Sequence, residues 1–498
     1  MKRQLREEII MRTLMFVLAL LVPLTAGAQI MFEYTYGGAD WDGAYSVRQT
    51  SDGGYAIAGW TYSFGAGSQD AYLIRTDEWG DPLWWNAYGG PASESCYSLD
   101  QTDDGGFVVV GGTTSFGHGG NDIYLVKTDG AGDTVWTRTY GGTDHDGGSS
   151  GAQTDDGGYI VAGYTYSFGA GVTDVYVVKT DGDGDTLWTR TYGGSGSDRG
   201  SSVAQTADGG YIIAGYTRSF GAGESDVYLI KTDASGDTLW TRAHGGSDQD
   251  FGHSVAQTVD GGYIIGGETQ SFGAGGWDFY LVRTDGDGDT LWTRTYGGQY
   301  YDEGFSVAQT FDGGYIVTGY VEPSASGIGD LYLIKTDASG DTLWTRTYGE
   351  LEYDEGQAVA QTADGGYIVA GYTESFGVSG SDVYLIKTNA EGLVGVSGEV
   401  DEPPRPRSSY LAQNYPNPFR AKTTIRYALP EAGHVTVVLY DIRGARVRSL
   451  VSNSVPAGPH ELEWDGRDDR GYKVGSGIYF CRMEAGEVNE TRRMLLVR

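Results

Sequence analysis

Short runs rich in Val, Ile, Tyr, Trp and Thr recur through residues 30–393, separated by segments rich in Gly, Asp and Ser. In one stretch the runs are Ser202–Thr206, Tyr211–Thr217, Val227–Thr232 and Thr238–His244. β-Branched and aromatic residues suit a pleated, half-buried surface, and glycines beside Asp or Ser are typical of tight hairpins. The pattern therefore predicts four short antiparallel strands in each stretch.

The same pattern repeats with a fixed period of 52 residues. Its clearest marker is the Asp of an Asp-Gly-Gly-(Tyr/Phe) turn, which occurs at Asp52, Asp104, Asp156, Asp208, Asp260, Asp312 and Asp364. A fixed period of this kind indicates an array of similar units, and four strands per unit match a propeller blade. The sequence thus predicts an all-β fold with a seven-bladed β-propeller.

The two ends of the array predict how the ring closes. A Trp falls in the fourth strand of six repeats, at Trp84, Trp136, Trp188, Trp240, Trp292 and Trp344. The next position in the series is Val396, in a Gly-rich segment, whereas the position that precedes Trp84 by one period is Phe32. We therefore expect the N-terminal strand around Phe32 to complete the last blade and close the propeller.

Residues 1–28 have the pattern of a secretory signal peptide. Basic residues precede an apolar core from Leu14 to Leu24, and Ala26-Gly27-Ala28 resembles a cleavage site. Met11 is an alternative start of the chain, because the segment that begins there would be sufficient as a signal peptide. No other stretch is long and apolar enough to cross a bilayer. We expect a secreted or cell-surface protein, exported through this cleaved peptide, with no transmembrane segment in the mature chain.

The composition is strongly acidic, with 67 Asp and Glu against 34 Lys and Arg and a net charge of −33. Cleavage after residue 28 removes four basic and two acidic residues, which leaves a charge of −35. Such a surface repels phosphate groups, so nucleic acid and anionic membranes are excluded as partners. The two cysteines, Cys96 and Cys481, lie in different predicted domains, which excludes a disulfide scaffold.

The repeat pattern ends near residue 393, and a different organisation follows. Residues 394–412 are rich in Gly, Pro and charge, which is typical of a linker. Residues 413–498 contain six strand candidates separated by turn signals, which suits a small Ig-like β-sandwich. The expected organisation is therefore a signal peptide (1–28), a propeller (29–393), a linker (394–412) and an Ig-like C-terminal domain (413–498).

The C-terminal domain carries several specific motifs in order. They are Asn414-Tyr415-Pro416-Asn417-Pro418-Phe419, Thr423-Thr424-Ile425, Tyr440-Asp441-Ile442-Arg443-Gly444, Trp464-Asp465-Gly466 and Ser476-Gly477-Ile478-Tyr479. This domain resembles the C-terminal sorting domains of type IX secretion and the Ig-like domain of flagellar hook-capping proteins. The resemblance implies a bacterial surface or secreted protein whose tail engages the secretion machinery as an export or attachment tag.

The repeats more loosely resemble quinoprotein-like seven-bladed propellers. In that group an Asp-Gly turn precedes a Trp that docks each blade on the next, as Asp233, Gly236 and Trp240 do here. The turn is one residue shorter than in that group, and no vicinal cysteine pair is present. No cofactor-binding residue carries over, so we expect no organic cofactor.

Alignment of the repeats places a carboxylate at the entry to each first strand. These residues are Asp42, Glu94, Asp146, Asp198, Asp250, Asp302 and Asp354. First strands line the channel of a propeller, so we expect the seven charges to converge near one mouth, where donors or cations must offset their repulsion. Two interpretations stay open: each carboxylate caps its own turn, or the ring binds calcium.

Departures from the repeat consensus mark the candidate ligand site. They cluster on the face that carries the second-to-third-strand loops and the interblade loops, and they include Arg199, Phe251, Trp277, Tyr300 and Tyr301. Exposed aromatic rings beside carboxylates suit stacking on an extracellular glycan or contact with a protein partner.

The sequence offers no catalytic constellation. Its six histidines are scattered without metal-ligand spacing, and neither a phosphate loop nor a nucleophile elbow is present. Near-perfect internal symmetry favours a non-catalytic binding or adhesion propeller, because catalysis needs a few residues with distinct roles. The alternative is a secreted carbohydrate-active hydrolase or lyase that uses the channel-mouth carboxylates as acid and base.

Overall fold

The computed structural model describes residues 30–323, 328–377, 380–394 and 410–497, the last with gaps at 412–413, 415–416, 418, 421, 430, 457 and 487. The predicted signal peptide and most of the predicted linker lie outside the described residues. All regular elements in the described ranges are β-strands, so these ranges contain no helix that could cross a membrane. The all-β prediction is confirmed.

Residues 32–388 form seven four-stranded antiparallel sheets. The first strands are Asp42–Gln49, Glu94–Gln101, Asp146–Gln153, Asp198–Gln205, Asp250–Gln257, Asp302–Gln309 and Asp354–Gln361. The second strands are Tyr55–Thr61, Phe107–Thr113, Tyr159–Thr165, Tyr211–Thr217, Tyr263–Thr269, Tyr315–Val321 and Tyr367–Thr373. The third strands are Asp70–Thr76, Asp122–Thr128, Asp174–Thr180, Asp226–Thr232, Asp278–Thr284, Asp330–Thr336 and Asp382–Thr388. The fourth strands are Pro82–Tyr88, Thr134–Tyr140, Thr186–Tyr192, Thr238–His244, Thr290–Tyr296, Thr342–Tyr348 and, in blade seven, Phe32–Tyr36.

The N-terminal strand closes the ring as the sequence predicts. Phe32–Tyr36 pairs antiparallel with Asp382–Thr388, with Phe32 opposite Lys387. Phe32 is buried in the apolar layer between blades seven and one. The Tyr36 hydroxyl donates a hydrogen bond to the Gly80 carbonyl of blade one at 2.6 Å. A seven-bladed propeller closed by its N-terminal strand is therefore the observed fold.

The first strands begin earlier than the apolar pattern indicates. In blade four the strand starts at Asp198 rather than Ser202, and its register shifts between Gly200 and Ser202. The same shift occurs in the other first strands. Gly and Ser have low strand propensity, so a β-bulge among them is invisible to a pattern based on apolar residues. Residues 198–200 are part of the strand because they pair with the second strand of the blade.

Neighbouring blades pack through an apolar layer and a repeated tyrosine contact. The last Tyr of the fourth strand donates a hydrogen bond to a glycine carbonyl in the outer turn of the next blade. These pairs are Tyr36–Gly80, Tyr88–Gly132, Tyr140–Gly184, Tyr192–Gly236, Tyr296–Gly340 and Tyr348–Gly392. Gly184 shows why the turn needs glycine, since its φ is +78° and a β-carbon would lie 2.9 Å from Trp136.

The seam between blades four and five departs from this rule because His244 stands in the tyrosine position. Its Nδ1 lies 3.0 Å from the Thr290 hydroxyl, whereas its buried Nε2 has no hydrogen-bond partner. Burial, followed by the charge of Arg242, lowers the pKa of His244 to about 4. The folded state therefore holds this imidazole neutral, and the seam lacks the hydrogen bond that tyrosine makes elsewhere.

Restoring the consensus residue with His244→Tyr should stabilise the propeller by about 1 kcal/mol at pH 7 through a bond to the Gly288 carbonyl. The stabilisation should grow at pH 5. The pKa of His244 is about 4 in the folded state and about 6.5 in the unfolded state, so the native protein loses stability as the pH falls from 6.5 towards 4. Tyr does not titrate in this range, so the variant keeps its stability. Thermal melts at both pH values test this, with Tyr192→His as the reverse exchange at the neighbouring seam. An equal effect at both pH values would contradict the prediction.

The face opposite the first-strand starts is held by two sets of repeated contacts. A glutamine at the end of each first strand accepts a hydrogen bond from a backbone N–H of the preceding blade, and the set runs through all seven blades to Ala363 and Gln49. Seven buried cations also pair with the Asp of the Asp-Gly-Gly turns. The pairs are Arg75–Asp52, Lys127–Asp104, Lys179–Asp156, Lys231–Asp208, Arg283–Asp260, Lys335–Asp312 and Lys387–Asp364. This face is nearly the same in every repeat.

The C-terminal domain is a two-layer β-sandwich. One sheet contains Tyr410–Leu411, Thr423–Leu429 and Gly458–Trp464, and the other contains Arg446–Val455, Gly433–Asp441, Gly477–Ala485 and Val488–Leu496. Trp464 is fully buried between them and packs on Phe419 and Tyr479, while its indole N–H donates to the Arg467 carbonyl. The Ig-like prediction for this domain is confirmed.

Candidate functional site

The seven carboxylates at the first-strand starts do not form an open ring at the channel mouth. Each is at most 1 % exposed and is held inside its own blade. Asp198 accepts hydrogen bonds from the Thr217 hydroxyl, from the Ser219 hydroxyl at 2.6 Å and from the Gly194 N–H at 2.9 Å. In Asp42, Asp146 and Asp354 one carboxylate oxygen has no hydrogen-bond partner. The expectation of converging charges at an open mouth is corrected in this respect: each carboxylate is enclosed by the second strand, the loop that follows it and the preceding interblade segment. The equivalent residues are Asp42, Glu94, Asp146, Asp250, Asp302 and Asp354.

A second row of carboxylates, which the sequence analysis did not single out, lies at the start of the third strands. Asp70 and Glu94 approach the same interblade residue, Gly89, and their oxygens lie 2.1 and 2.4 Å from the position that a β-carbon would take there. Burial and then the charge of Glu94 raise the pKa of Asp70, against hydrogen bonds from backbone N–H groups. Within the described residues, no group of three or more His, Cys, Asp or Glu side chains could hold a metal ion.

Two segments have the sequence Asp-Gly-Asp-Gly-Asp, at residues 181–185 and 285–289, and both form turns between the third and fourth strands of their blades. Asp181 Oδ1 accepts hydrogen bonds from the N–H groups of Asp183 at 3.0 Å and Asp185 at 2.9 Å. Asp233, in a repeat with Ala-Ser in the middle, makes the same two bonds to Ser235 and Asp237. The alternation of Asp and Gly is therefore a way of building this hairpin.

The differences between repeats concentrate where the first strands begin. The second residue of each first strand pairs with the sixth residue of the second strand, and this pair varies between blades, with only blades six and seven sharing the Glu–Tyr combination. The pairs are Gly43–Trp60, Ser95–Gly112, Gly147–Tyr164, Arg199–Tyr216, Phe251–Glu268, Glu303–Tyr320 and Glu355–Tyr372. We use the name entry funnel for the space surrounded by these fourteen residues and by the fourth residue of each first strand.

The fourth residues of the seven first strands line the funnel below these pairs. They are Tyr45, Tyr97, Ser149, Ser201, His253, Phe305 and Gln357, and all seven border one cavity of about 530 Å³. These seven residues follow one another at intervals of 52 in the sequence, and in the structure they surround a single cavity. At this register the seven blades contribute five kinds of side chain, because Tyr and Ser each occur twice.

Aromatic rings form the side of the funnel that belongs to blades one and two. Tyr45 and Tyr97 have ring centroids 5.0 Å apart. Tyr45 and Trp60 also border an adjoining pocket with Trp41 and Tyr62, whose rings are 52 % and 48 % exposed. The buried indole Nε1 of Trp60 has no hydrogen-bond partner. This side offers flat apolar surfaces and one unpaired indole N–H, a combination that suits stacking on sugar rings.

Arg199 supplies the basic side of the funnel. Its guanidinium lies over the Tyr164 ring at 4.3 Å and donates a hydrogen bond to the Tyr166 hydroxyl at 2.9 Å. Stacking of this kind holds the planar group in place. Its Nε is buried and has no hydrogen-bond partner, so a donor remains for a ligand.

Glutamates form the opposite side, which belongs to blades five to seven. Glu355 is 4 % exposed and accepts hydrogen bonds from the hydroxyls of Tyr353 and Tyr372. Glu268 is 7 % exposed, and its Oε1 lies 3.3 Å from His253 Nε2. Burial, followed by the charges of Glu268 and Glu355, raises the pKa of Glu303 to about 8. We call Glu268, Glu303 and Glu355 the acid side of the funnel.

The structure places the five predicted ligand residues on the entry face. Arg199 lines the cavity, and Phe251 stacks on Trp277 with ring centroids 5.3 Å apart. Tyr301 is half exposed at the rim, and the carbonyl of Tyr300 accepts a hydrogen bond from the Gly276 N–H at 3.2 Å. Sequence reasoning missed Trp60, Glu268, Glu303 and Glu355. These four positions vary between repeats while their neighbours repeat, and this variation is visible in the sequence. The pairing register of the first and second strands shows that the varying positions lie opposite one another.

Comparison with known proteins identifies the C-terminal domain. Residues 419–487 match the FlgD Ig-like domain family, which confirms the resemblance to hook-capping proteins. A curated relative, the regulatory protein FlaEY of Caulobacter vibrioides, is 24 % identical over 265 residues. That match covers 47 % of this chain but only 28 % of the relative.

Solved structures of low sequence identity also match this chain. PorZ, described as an essential bacterial surface component of the type IX secretion system of Porphyromonas gingivalis, is 16 % identical with a TM-score of 0.40. The match covers 93 % of this chain and 60 % of PorZ. The β-propeller domain of the Trilobed protease from Pyrococcus furiosus is 8 % identical with a TM-score of 0.39, covering 75 % of this chain and all of that domain.

Proposed function

We propose that this protein is a secreted or surface-held, non-catalytic binding propeller that engages an extracellular glycan in the entry funnel. In this proposal the C-terminal Ig-like domain serves export or attachment through the secretion machinery, as the resemblance of its motifs to type IX sorting domains implies. The observation that carries the proposal is the asymmetry of the funnel in a chain that otherwise repeats itself. The residues that the blades contribute there vary between Tyr, Ser, His, Phe and Gln, while the opposite face keeps its cation–Asp pairs in all seven blades.

Unsatisfied polar atoms support a ligand at this position. Trp60 Nε1, Arg199 Nε and Glu268 Oε2 are buried atoms without a hydrogen-bond partner, and they belong to three different sides of the funnel. A buried polar group without a partner costs about 1–3 kcal/mol, and a ligand that supplied hydrogen bonds to these three atoms would recover part of this cost. Hydroxyl groups of a sugar can donate to and accept from all three, while the aromatic rings stack on its apolar faces.

The test is a glycan array with the mature full-length protein, followed by calorimetry on each glycan that binds. Trp60→Ala should weaken binding roughly tenfold or more, because it removes a central aromatic contact. Trp79→Ala is the matched control, since Trp79 lies in an outer turn on the opposite face, and it should leave affinity unchanged. Equal affinities of the two variants, or no glycan bound on the array, would overturn the proposal.

One observation favours the alternative of a hydrolase or lyase. The raised pKa of Glu303, about 8, keeps a protonated carboxyl near two further glutamates at neutral pH, as a general acid requires. A panel of glycan substrates tested alongside the array distinguishes the two functions. Product formation by the native protein, lost in Glu303→Gln, would establish catalysis in place of simple binding.

A further inference from the structure

The acid side of the funnel combines carboxylates with aromatic rings in a regular way. On blades five, six and seven, each variable cross-strand pair contains one glutamate and one aromatic residue: Phe251 with Glu268, Tyr320 with Glu303, and Tyr372 with Glu355. The other four pairs contain no acidic residue. Three neighbouring blades therefore present the same chemistry to the same side of the channel.

Among the described ion pairs, no Lys or Arg side chain partners the carboxylates of the acid side. Among the described residues, the single ion-pair partner of these three glutamates is His253, whose Nε2 lies 3.3 Å from Glu268 Oε1. Glu268 Oε2 is buried without a hydrogen-bond partner, and His253 Nε2 also makes no hydrogen bond. Glu355 accepts from tyrosine hydroxyls and from Gln357, all of which are neutral donors.

Glu268 and Glu355 are buried and Glu303 is half-buried, so the three groups repel one another when ionised, and a bound cation relieves this repulsion. The raised pKa of Glu303 has this origin, after burial. The described residues contain no cluster that could hold a metal ion, which directs attention to an organic cation. Rings surround the acid side as well: Tyr320 and Tyr353 have centroids 5.4 Å apart, and Tyr353 stacks on Tyr372 at 6.0 Å. Carboxylates and ring faces together are suited to an ammonium group.

We propose that the acid side of the entry funnel binds the protonated primary amine of an amino sugar. This inference rests on the proposed glycan-binding function and names the substrate class of the same site. An ammonium group has three donors, which match the free oxygen of Glu268 and the neighbouring carboxylates. The cavity of about 530 Å³ and the aromatic side formed by Tyr45, Tyr97 and Trp60 then receive the rest of the sugar chain.

A matched pair of ligands tests the role of the amine. Oligomers of glucosamine and of N-acetylglucosamine share the same backbone, but only the first carries a positive charge. Calorimetry with the mature full-length protein at pH 6 should show roughly tenfold or stronger preference for the glucosamine oligomer, as charge-assisted hydrogen bonds provide. Equal affinity for the two oligomers would overturn the amine inference and leave the proposed glycan function standing.

Variants of the acid side separate a specific site from general attraction to an acidic protein. Glu268→Gln and Glu303→Gln should each reduce the preference for glucosamine oligomers severalfold or more, with little effect on the N-acetylated oligomer. Glu224→Gln removes the same charge from an exposed position on the entry face and should leave the preference unchanged. Thermal melts confirm that each variant is folded. A preference that persists in both acid-side variants, or falls equally in Glu224→Gln, would overturn the inference.

The remaining outcomes are also distinct. Binding of another glycan on the array without binding of glucosamine oligomers overturns the amine inference alone. Failure of every glycan on the array overturns the proposed function and, with it, the inference. A lysine-rich peptide is included in the same titration, and its binding without any glycan would identify a protein partner in place of an amino sugar.

Discussion

Removal of Ile30–Gly38 is expected to lower the melting temperature of the propeller by about 10 °C or more. The deletion leaves Asp382–Thr388 as an unpaired edge and removes Phe32 from the apolar layer between the first and last blades. It also removes the Tyr36 hydrogen bond that joins blade seven to blade one. Truncation of a buried aromatic residue alone costs about 3–5 kcal/mol, and the deletion also removes the strand pairing that joins the N-terminal segment to blade seven. Differential scanning calorimetry of the mature protein measures the effect.

Two point variants provide the scale for this result. Phe32→Ala should cost about 3 kcal/mol, whereas Tyr36→Phe removes a single hydroxyl and should cost about 1 kcal/mol. We expect the deletion to destabilise the propeller most, Phe32→Ala less and Tyr36→Phe least, because each change removes less of the closure than the one before it. A deletion protein that melts at the native temperature would show that the ring closes in another way.

Asp156→Asn is expected to destabilise the propeller by about 2 kcal/mol at pH 7. Lys179 is 3 % exposed, and its ammonium group lies 2.9 Å from Asp156 Oδ2 and 2.8 Å from the Thr180 carbonyl. The substitution keeps the shape of the side chain but leaves a buried cation without its counter-charge. The effect is smaller than for a fully buried pair because more than half of the Asp156 side chain is exposed to water. Chemical denaturation measures the change in the free energy of unfolding.

The neighbouring residue supplies a matched control. Asp155 is an exposed carboxylate in the same turn without an ion-pair partner among the described contacts, so Asp155→Asn should have little effect. Lys179→Met combined with Asp156→Asn should recover much of the lost stability, because the pair is then replaced without an orphaned charge. Equal destabilisation by Asp155→Asn and Asp156→Asn would contradict the assignment of the effect to the buried lysine.

The pH dependence of this effect has a defined sign. Burial alone raises the pKa of Asp156, but hydrogen bonds from Thr154, Lys179 and Gly158 outweigh it and lower the pKa to about 2. A carboxylate with a lowered folded pKa contributes stability above its unfolded value of about 3.9, and this contribution is lost as the pH falls towards 2. The difference between the native protein and Asp156→Asn should therefore shrink between pH 5 and pH 2.

The candidate site was only partly accessible from the sequence. Arg199, Phe251 and Trp277 could be found because each breaks a repeat consensus that is visible in the alignment. Glu268, Glu303 and Glu355 also differ between repeats, but they stand at two separate places in the 52-residue unit. Their relation becomes visible only when the bulge at the start of each first strand sets the register against the second strand. The burial of the seven carboxylates at the first-strand starts is likewise a result of tertiary packing, because their donors come from the second strand and the loops beside it.

The fold could be predicted from the amino-acid sequence alone, because the information for it is local and repeated. Apolar runs predict strands, glycines beside Asp predict the hairpins, and Phe32 in the missing Trp position predicts the closure. Tertiary structure alone decided which residues share the funnel. Tyr45, His253 and Gln357 are separated by whole blades along the chain, and they border one cavity because a closed ring turns each first strand towards the same axis. A repeat period records what the blades have in common, whereas a binding site depends on where their differences meet in space.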